Sequence, residues 1–134
     1  MNINDDGLCF VCGTANEHGL KLAFHSEKGT TFSEFALQNH FQGYRNIIHG
    51  GVIAAILDEA MIHAAVAEGH SPVTAEITVR FKQPLSVGQM AIVEAVLTQN
   101  GPRIIKARSR ISDKTSGGLI AEATGKMIPL TEYP

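Results

Sequence analysis

One acidic side chain stands where a carboxylate is costly. Asp58 lies in the stretch NIIHGGVIAAILDEAMI, residues 46–62, which is almost wholly apolar after its glycines. If this stretch is helical, the side chains three and four residues away from Asp58 are Ala54, Ala55, Met61 and Ile62. Removing water from a carboxylate raises its pKa, and such acids serve as general bases or nucleophiles. The alternative is structural, with Asp58 facing water or pairing with an arginine at a subunit contact.

A His-Gly-Gly sequence, His49 to Gly51, opens the same stretch. The first backbone N–H groups of a helix have no internal partner and carry the positive end of the helix dipole. Glycine lets a ligand approach that backbone closely, so this terminus could hold a carbonyl oxygen or a developing oxyanion. The alternative is an ordinary glycine-rich turn in which His49 is a plain hydrogen-bonding residue.

The two cysteines suggest a metal site, which we test against their spacing. Cys9 and Cys12 form a Cys-x-x-Cys pair, and with His18 and His25 they would make a four-ligand zinc site. The spacing differs from that of a usual zinc finger, and His25 alternates with the apolar residues of a predicted strand. We therefore expect no metal, and reduced thiols in a packed segment.

A long helix must position Asp58. The apolar pattern predicts it over about residues 50–68, ended by Gly69. Glu59 lies four residues before His63, so the two share a face, which is typical of a polar surface or a subunit contact. A helix that is apolar nearly all round is normally enclosed by other structure, so we expect a sheet curled around it and a second subunit over the remainder.

Six segments have the alternation or apolar content of strands. They cover residues 20–24, 30–37, 73–81, 89–99, 103–111 and 119–128. The segment 73–81 alternates strictly, which places Val73, Ala75, Ile77, Val79 and Phe81 on one face. Short connections predict antiparallel pairing of consecutive strands, and one helix against such a sheet is an α+β fold.

The composition of the 134-residue chain limits its partners. A formal net charge of −2 gives no basic surface for nucleic acid or for an anionic membrane. The most apolar window, residues 52–67, is too short and too charged to cross a bilayer. Two cysteines and an N-terminus without a secretion signal favour a cytoplasmic location. We expect one domain over residues 1–134, with residues 1–16 as a leader packed on it.

Three segments resemble the hotdog-fold acyl-CoA thioesterases, in particular the phenylacetate-pathway (PaaI-like) and 4-hydroxybenzoyl-CoA thioesterase group. HGGVIAAILDEAM, residues 49–61, is similar to that family's His-Gly-Gly followed, nine residues after the histidine, by an acid in the central helix. TAEITVRFKQP, residues 74–84, resembles the next segment, in which Ser or Thr lies ten residues before Pro. CFVCGTANEHGLKLAF, residues 9–24, is similar to the Cys-x-x-Cys-Gly leader common among members.

The resemblance implies a hotdog fold, in which a curved antiparallel sheet wraps one long helix and two chains share a continuous sheet. Active sites would then lie at the dimer interface. Asp58 would be the base or nucleophile at the thioester carbonyl, and the Gly50 N–H of the partner subunit would polarise that carbonyl. His49 would assist positioning, and Thr74 would orient the water or the acid.

The resemblance also suggests residues that bind substrate. Gly51 adjoins the expected carbonyl site, and Gln42 and Asn46 are candidates for the Asn or Gln that members often carry upstream of the histidine. Independently of the resemblance, the basic stripe Lys106, Arg108 and Arg110, together with Arg80, could hold the phosphates of coenzyme A. The alternative for these arginines is a solvated sheet face with alternating charge. Coenzyme A is part of the substrate, and we expect no separate cofactor.

The predicted function is hydrolysis of an acyl-CoA thioester to a free acid and CoA. One alternative is a dehydratase or hydratase that acts on acyl thioesters with the same fold, and another is a non-enzymatic acyl-CoA binding module. In each case the partner is a small molecule, with no nucleic acid or membrane. The expected assembly is a homodimer or a dimer of dimers, and the sequence leaves the acyl group open.

Overall fold

A computed structural model describes residues 5–130 of the chain. Six strands and one long helix follow in the order β1 (His25–Glu27), β2 (Thr30–Phe35), α1 (Gly50–Ala67), β3 (Pro72–Phe81), β4 (Ala91–Asn100), β5 (Ile105–Asp113) and β6 (Leu119–Pro129). A short 3-10 helix, Asn39–Phe41, precedes α1. Residues 1–4 of the expected leader and residues 131–134 lie outside the described residues.

All six strands form one antiparallel sheet in the order β1-β2-β4-β5-β6-β3. Helix α1 packs across one face of this sheet and contacts five strands, β2 to β6. The core lies between the two layers and includes the fully buried side chains of Ile56, Leu57, Met61, Ile111 and Met127. The α+β prediction, with one long helix against an antiparallel hotdog sheet, is confirmed.

Two expectations about the strands are wrong. Residues 20–24 are not a sheet strand, because their amides pair with the leader instead: the Leu20 N–H donates to Phe10 O and the Leu22 N–H to Val11 O. Consecutive strands β3 and β4 are not neighbours, since β3 pairs with β6. The segment that connects β3 to β4 instead contacts the loop before α1, where the Ile48 N–H donates to Leu85 O.

The expected strict alternation of residues 73–81 is also wrong. The register between β3 and β6 shifts between Thr74 and Glu76, which leaves Ala75 as the extra residue of a β-bulge. The bulge turns Thr74 toward α1, together with Ile77 further along the strand, while Val73 is left exposed. The bulge at Ala75 therefore decides whether the hydroxyl of Thr74 or the methyl group of Ala75 faces the helix.

The expectation that residues 52–67 are too short and too charged to cross a bilayer is wrong for α1, because the helix Gly50–Ala67 is long and apolar enough to do so. The same residues explain that result without a membrane, because the helix forms the centre of the core. One stripe is buried against the sheet and comprises Ile53, Ile56, Leu57, Ala60, Met61, Ala64 and Ala65. A core helix enclosed by a sheet needs this apolar character.

The helix–sheet contact generates a stability prediction. Leu57 is fully buried, whereas Val66 on the same helix is 49% exposed. Truncating Leu57 removes buried apolar surface and leaves a cavity, so Leu57→Ala should lower the free energy of unfolding by about 2–5 kcal/mol. The matched control Val66→Ala should change it by no more than about 0.5 kcal/mol. Chemical denaturation of all three proteins at one concentration measures both, and equal effects would contradict this packing.

Candidate active site

Asp58 and Thr74 make the central polar contact of the candidate site. The Thr74 hydroxyl donates to Asp58 Oδ1 over 2.6 Å, and both side chains are half-buried. Asp58 comes from the middle of α1, and Thr74 reaches it because the β3 bulge turns its side chain inward. The structure therefore brings together the acid and the hydroxyl that the sequence placed 16 residues apart.

The surroundings of Asp58 favour its neutral form more than water does. Burial raises the pKa of its carboxyl group, the Thr74 hydrogen bond opposes that effect, and the negative charge of Glu59 adds to it. The net result is an Asp58 pKa above the usual range for aspartate. A carboxylate of raised pKa is a stronger base once it is ionised, which suits proton abstraction from water.

The three residues at the start of α1 have distinct roles. His49 is the N-cap, and its Nδ1 accepts from the Gly51 N–H over 2.8 Å. This bond leaves the ring proton of neutral His49 on Nε2, where it is a donor on an exposed side chain. The Gly50 N–H, in contrast, has no hydrogen-bond acceptor within residues 5–130. Gly50 therefore presents the free amide of this terminus, while the N–H of Gly51 is occupied.

An apolar hollow of about 320 Å³ lies beside Gly50. Phe81 forms one wall and is 57% exposed, and an atom added at the Cβ position of Gly50 would lie 3.5 Å from its ring. The remaining wall is Ile47, Ile48, Ile53, Lys82, Gln83, Pro84, Leu85 and Ile120. The hollow offers apolar surface next to a free backbone donor.

A single chain holds its acid and its free amide apart. Asp58 follows Gly50 by eight residues on one continuous helix, a separation of about 12 Å along the axis at 1.5 Å per residue. No one carbonyl group can contact both within one protomer. One chain therefore contains two halves of a site, Asp58 with Thr74 at one end of β3 and Gly50 with Phe81 at the other.

Arg80 and Arg108 lie on the opposite face of the sheet from α1. They line a concave hollow with a volume of about 680 Å³, which is formed by β3 to β6 and lies away from Asp58 and Gly50. Strand pairing sets Arg80 opposite Glu122, which neighbours Arg110 in turn, whereas Arg108 lies opposite Thr124 and Val96. Arg80 therefore has one acidic cross-strand neighbour, which it shares with Arg110, whereas Arg108 has none.

Gln42 and Asn46 shape the loop before the helix. The Gln42 side-chain oxygen accepts from the Asn46 N–H over 3.0 Å, and Asn46 O accepts from the Val87 N–H. Asn46 has a φ of 64°, in the left-handed region that Asn tolerates better than most residues. Both side chains are exposed and help to set the path of the chain toward His49.

Glu59, the residue after Asp58, faces the leader rather than β3. Its Oε1 lies 3.4 Å from the Cys12 sulfur and 3.2 Å from His63 Nε2. Burial acts to raise the pKa of Glu59, but His63 and the two cysteines outweigh it and hold that pKa below the usual range. Burial and the Glu59 charge raise the pKa of the Cys12 thiol.

Two features of these sites were not predicted from the sequence. The alternation put Phe81 on the apolar face of its strand but did not predict its place beside Gly50, because that contact depends on where β3 ends relative to α1. Cys12 was grouped with two histidines close in sequence, whereas its partner Glu59 lies 47 residues away. The sequence offered one indication of the Cys12–Glu59 contact, because Glu59 and His63 form a polar pair on one face of a largely apolar helix.

The sequence profile of the thioesterase superfamily matches residues 45–120, more than half of the chain. Acyl-coenzyme A thioesterase THEM4 of Mus musculus is 30% identical over 109 residues, which cover 81% of this chain and 47% of that protein. The chain thus spans about half the length of this curated relative.

Solved structures share the fold. The thioesterase superfamily protein RHA08564 superimposes with a TM-score of 0.85 at 21% identity, over 91% of this chain and 60% of that chain. Protein smu.793 of Streptococcus mutans, solved bound to acetyl CoA, gives a TM-score of 0.76 at 17% identity over 84% of this chain and 91% of that chain. At such identities the likeness establishes the architecture alone. The profile match extends from the loop before α1 to the start of β6, and on that ground the chain belongs to the thioesterase superfamily.

Proposed function

We propose that this protein hydrolyses an acyl-CoA thioester to a carboxylic acid and CoA, at a site shared by two copies of the chain. The observation that carries the proposal is the half-buried Asp58 carboxylate of raised pKa, bonded to Thr74, on a helix that begins with a free glycine amide. Membership of the thioesterase superfamily and the similarity to THEM4, named as an acyl-coenzyme A thioesterase, support this reaction. The acetyl CoA bound to smu.793 supports CoA esters as the substrate class.

The edge strand β3 supports a shared site. It is ten residues long, has a sheet neighbour on one side, β6, and exposes Val73 and Phe81. A long unpaired edge invites another strand. If two copies of β3 pair antiparallel about a twofold axis near the strand centre, Thr74 of one chain lies near Phe81 of the partner subunit. Asp58 then approaches Gly50 of the partner subunit, and the two half-sites combine.

Each group would have one role in hydrolysis. Ionised Asp58 would take a proton from water, or attack directly, while Thr74 holds the carboxylate in orientation. Gly50 N–H of the partner subunit would donate to the carbonyl oxygen as it gains negative charge, at the positive end of the α1 dipole. His49 Nε2–H, beside that amide, would contact the substrate. The apolar hollow would take up part of the thioester chain.

Removing the acid tests the chemical step. Asp58→Asn keeps the size of the side chain but abolishes its basicity, so kcat for the best acyl-CoA should fall at least about 10²-fold. Thiol release from a panel of acyl-CoAs measures this. The control Glu34→Gln alters an exposed acid on β2 that pairs with Lys114 and should leave turnover unchanged. Wild-type turnover in Asp58→Asn, or hydration of an enoyl-CoA without thiol release, would reject the proposal.

The Gly50 amide can be removed without breaking the helix. Gly50 is the first residue of α1, where proline is tolerated, and His49 already has the extended ψ of 134° that proline requires before it. Gly50→Pro deletes the donor and should lower kcat about 10²–10³-fold. Gly50→Ala retains the N–H, and its methyl group would make ordinary contact with Phe81, so it should stay within about tenfold of wild type.

Mixing the two inactive variants tests whether the site is shared. In a mixed dimer of Asp58→Asn and Gly50→Pro chains, a shared arrangement leaves one of the two sites with both functional groups. Refolding equal amounts together should therefore restore about a quarter of wild-type activity, since half of the dimers are mixed. A site contained within one chain would stay inactive in every dimer. Light scattering should give twice the 14.4 kDa chain mass, or a multiple of that dimer.

The Asp58–Thr74 bond generates a pH prediction. A base must be ionised, so activity is present above the pKa of Asp58 and is lost as the pH falls through it. Burial places this acidic limb above the usual aspartate range, and the Thr74 hydroxyl opposes that shift. Thr74→Val removes the hydroxyl at nearly constant shape, so the acidic limb of kcat/KM, which reports the free enzyme, should move to higher pH. An unmoved limb would show that Thr74 does not bond the ionised acid.

A further inference from the structure

A second group of reactive side chains lies where the leader crosses α1. The sulfurs of Cys9 and Cys12 and a carboxylate oxygen of Glu59 lie within 4.8 Å of one another. His63, one turn along α1, places Nε2 3.2 Å from Glu59 Oε1. All four side chains are partly buried. We call these four residues the leader cluster, and the proposed hydrolysis uses none of them.

We propose that the leader cluster binds one Zn²⁺ ion, which fastens the leader to the central helix. Two sulfurs, one carboxylate oxygen and one imidazole nitrogen form a ligand set that suits Zn²⁺, whereas Mg²⁺ and Ca²⁺ take oxygen ligands. The ligands come from two segments far apart in sequence, so coordination would add a cross-link between them. The thiols would lose their protons on binding, with no change in oxidation state.

Two of the six donor–donor distances already match those of a tetrahedral site. With Zn–S of about 2.3 Å and Zn–O or Zn–N of about 2.0 Å, tetrahedral ligands stand about 3.5 Å apart for S and O, and about 3.3 Å apart for N and O. The Cys12 sulfur is 3.4 Å from Glu59 Oε1, and His63 Nε2 is 3.2 Å from the same oxygen. Two edges of the tetrahedron are therefore present without any metal.

The backbone around Cys9 is arranged for a charged sulfur. The N–H groups of Val11 and Cys12 both point at Cys9 Sγ, at 3.4 Å and 3.5 Å. A neutral thiol is a weak acceptor, so two amide donors match it poorly. They match a metal-bound thiolate well, since such bonds orient and tune metal ligands. This turn is independent of the side-chain distances and indicates the same ligand.

Gly13 completes the turn. Its N–H donates to Cys9 O over 2.9 Å, and a Cβ at this position would lie 2.5 Å from both Cys9 N and Gly7 O. Only glycine fits this backbone. The Cys-x-x-Cys-Gly sequence therefore encodes a tight loop that holds two sulfurs over α1.

The helix side of the cluster is oriented as well. The His63 ring stacks on Phe24, with centroids 4.5 Å apart and planes 15° apart, which fixes the direction of its nitrogens. The donor atoms that lie within 4.8 Å of one another belong to Cys9, Cys12 and Glu59, and His18, His25 and His63 all fall outside this group. His63 is the histidine that contacts a member of it, Glu59, at 3.2 Å, and its nitrogen would move toward the sulfurs on metal binding. The fold thus replaces two histidines near the cysteines with an acid and a histidine from α1.

Metal analysis of the full-length protein tests the proposal. Protein made without a polyhistidine tag in zinc-supplemented medium, and kept reduced with a phosphine, should contain about one zinc per chain by mass spectrometry. Replacement by Co²⁺ should give a sulfur-to-cobalt charge-transfer band and tetrahedral d–d bands. Cys9→Ser and Cys12→Ser should lose the metal, and circular dichroism reports whether they fold.

Two variants keep both thiols and test the helix side. Glu59→Gln and His63→Ala should weaken zinc binding at least about tenfold, measured by competition with a chromophoric chelator. The double control His18→Ala/His25→Ala removes the two histidines nearest in sequence and should bind zinc as the wild type does. Zinc-free wild-type protein, a cobalt spectrum without the sulfur band, or unchanged affinity in Glu59→Gln would each overturn the proposal.

Discussion

The structure depends on one helix, which supplies both the central apolar side chains of the core and the two candidate catalytic groups. Helix α1 buries Ile56, Leu57 and Met61 against the sheet, and the Ser109 hydroxyl donates to Leu57 O over 2.9 Å. Because this face is fixed by packing, the directions of Asp58 and of the Gly50 amide are fixed too. A rigid helix holds both groups in fixed directions, and it also keeps them too far apart to contact one carbonyl group within one chain.

Because Asp58 and Gly50 are far apart within one chain, the proposed site depends on the exposed strand β3. An edge such as β3 would normally be shortened or blocked by charge, yet here it carries Thr74 near one end and Phe81 near the other, each beside one half of the site. The bulge at Ala75 matters for the same reason, because a regular strand would turn the hydroxyl of Thr74 away from Asp58. In the proposed dimer, both the pairing of the subunits and the position of the acid would therefore depend on this one strand.

Much of the fold could be predicted from the sequence because the helix and several strands follow from patterns of apolar and polar residues that are close together in the chain. The apolar run around Asp58, the His-Gly-Gly start and the alternation of residues 103–111 lead directly to α1 and β5. The features that were missed are set by contacts distant in sequence. Neither the bulge beside Thr74 nor the pairing of β3 with β6 has a local signature. Residues 20–24 alternate as a strand should, but the leader occupies their amides.

The two adjacent acids of α1 show how a helix assigns similar groups to different tasks. Asp58 and Glu59 are separated by about 100° around the axis, so one faces the β3 edge and the other faces the leader. Burial acts to raise the pKa of both carboxyl groups. For Asp58 the one opposing contact, the Thr74 hydroxyl, does not cancel this effect, whereas for Glu59 the contacts with His63 and the cysteines outweigh it. The pKa values therefore move in opposite directions. The neutral form is favoured for Asp58 and the charged form for Glu59. A single step along the chain is enough to separate two acids with opposite pKa shifts, because the surroundings, rather than the side chain, decide which charge state is favoured.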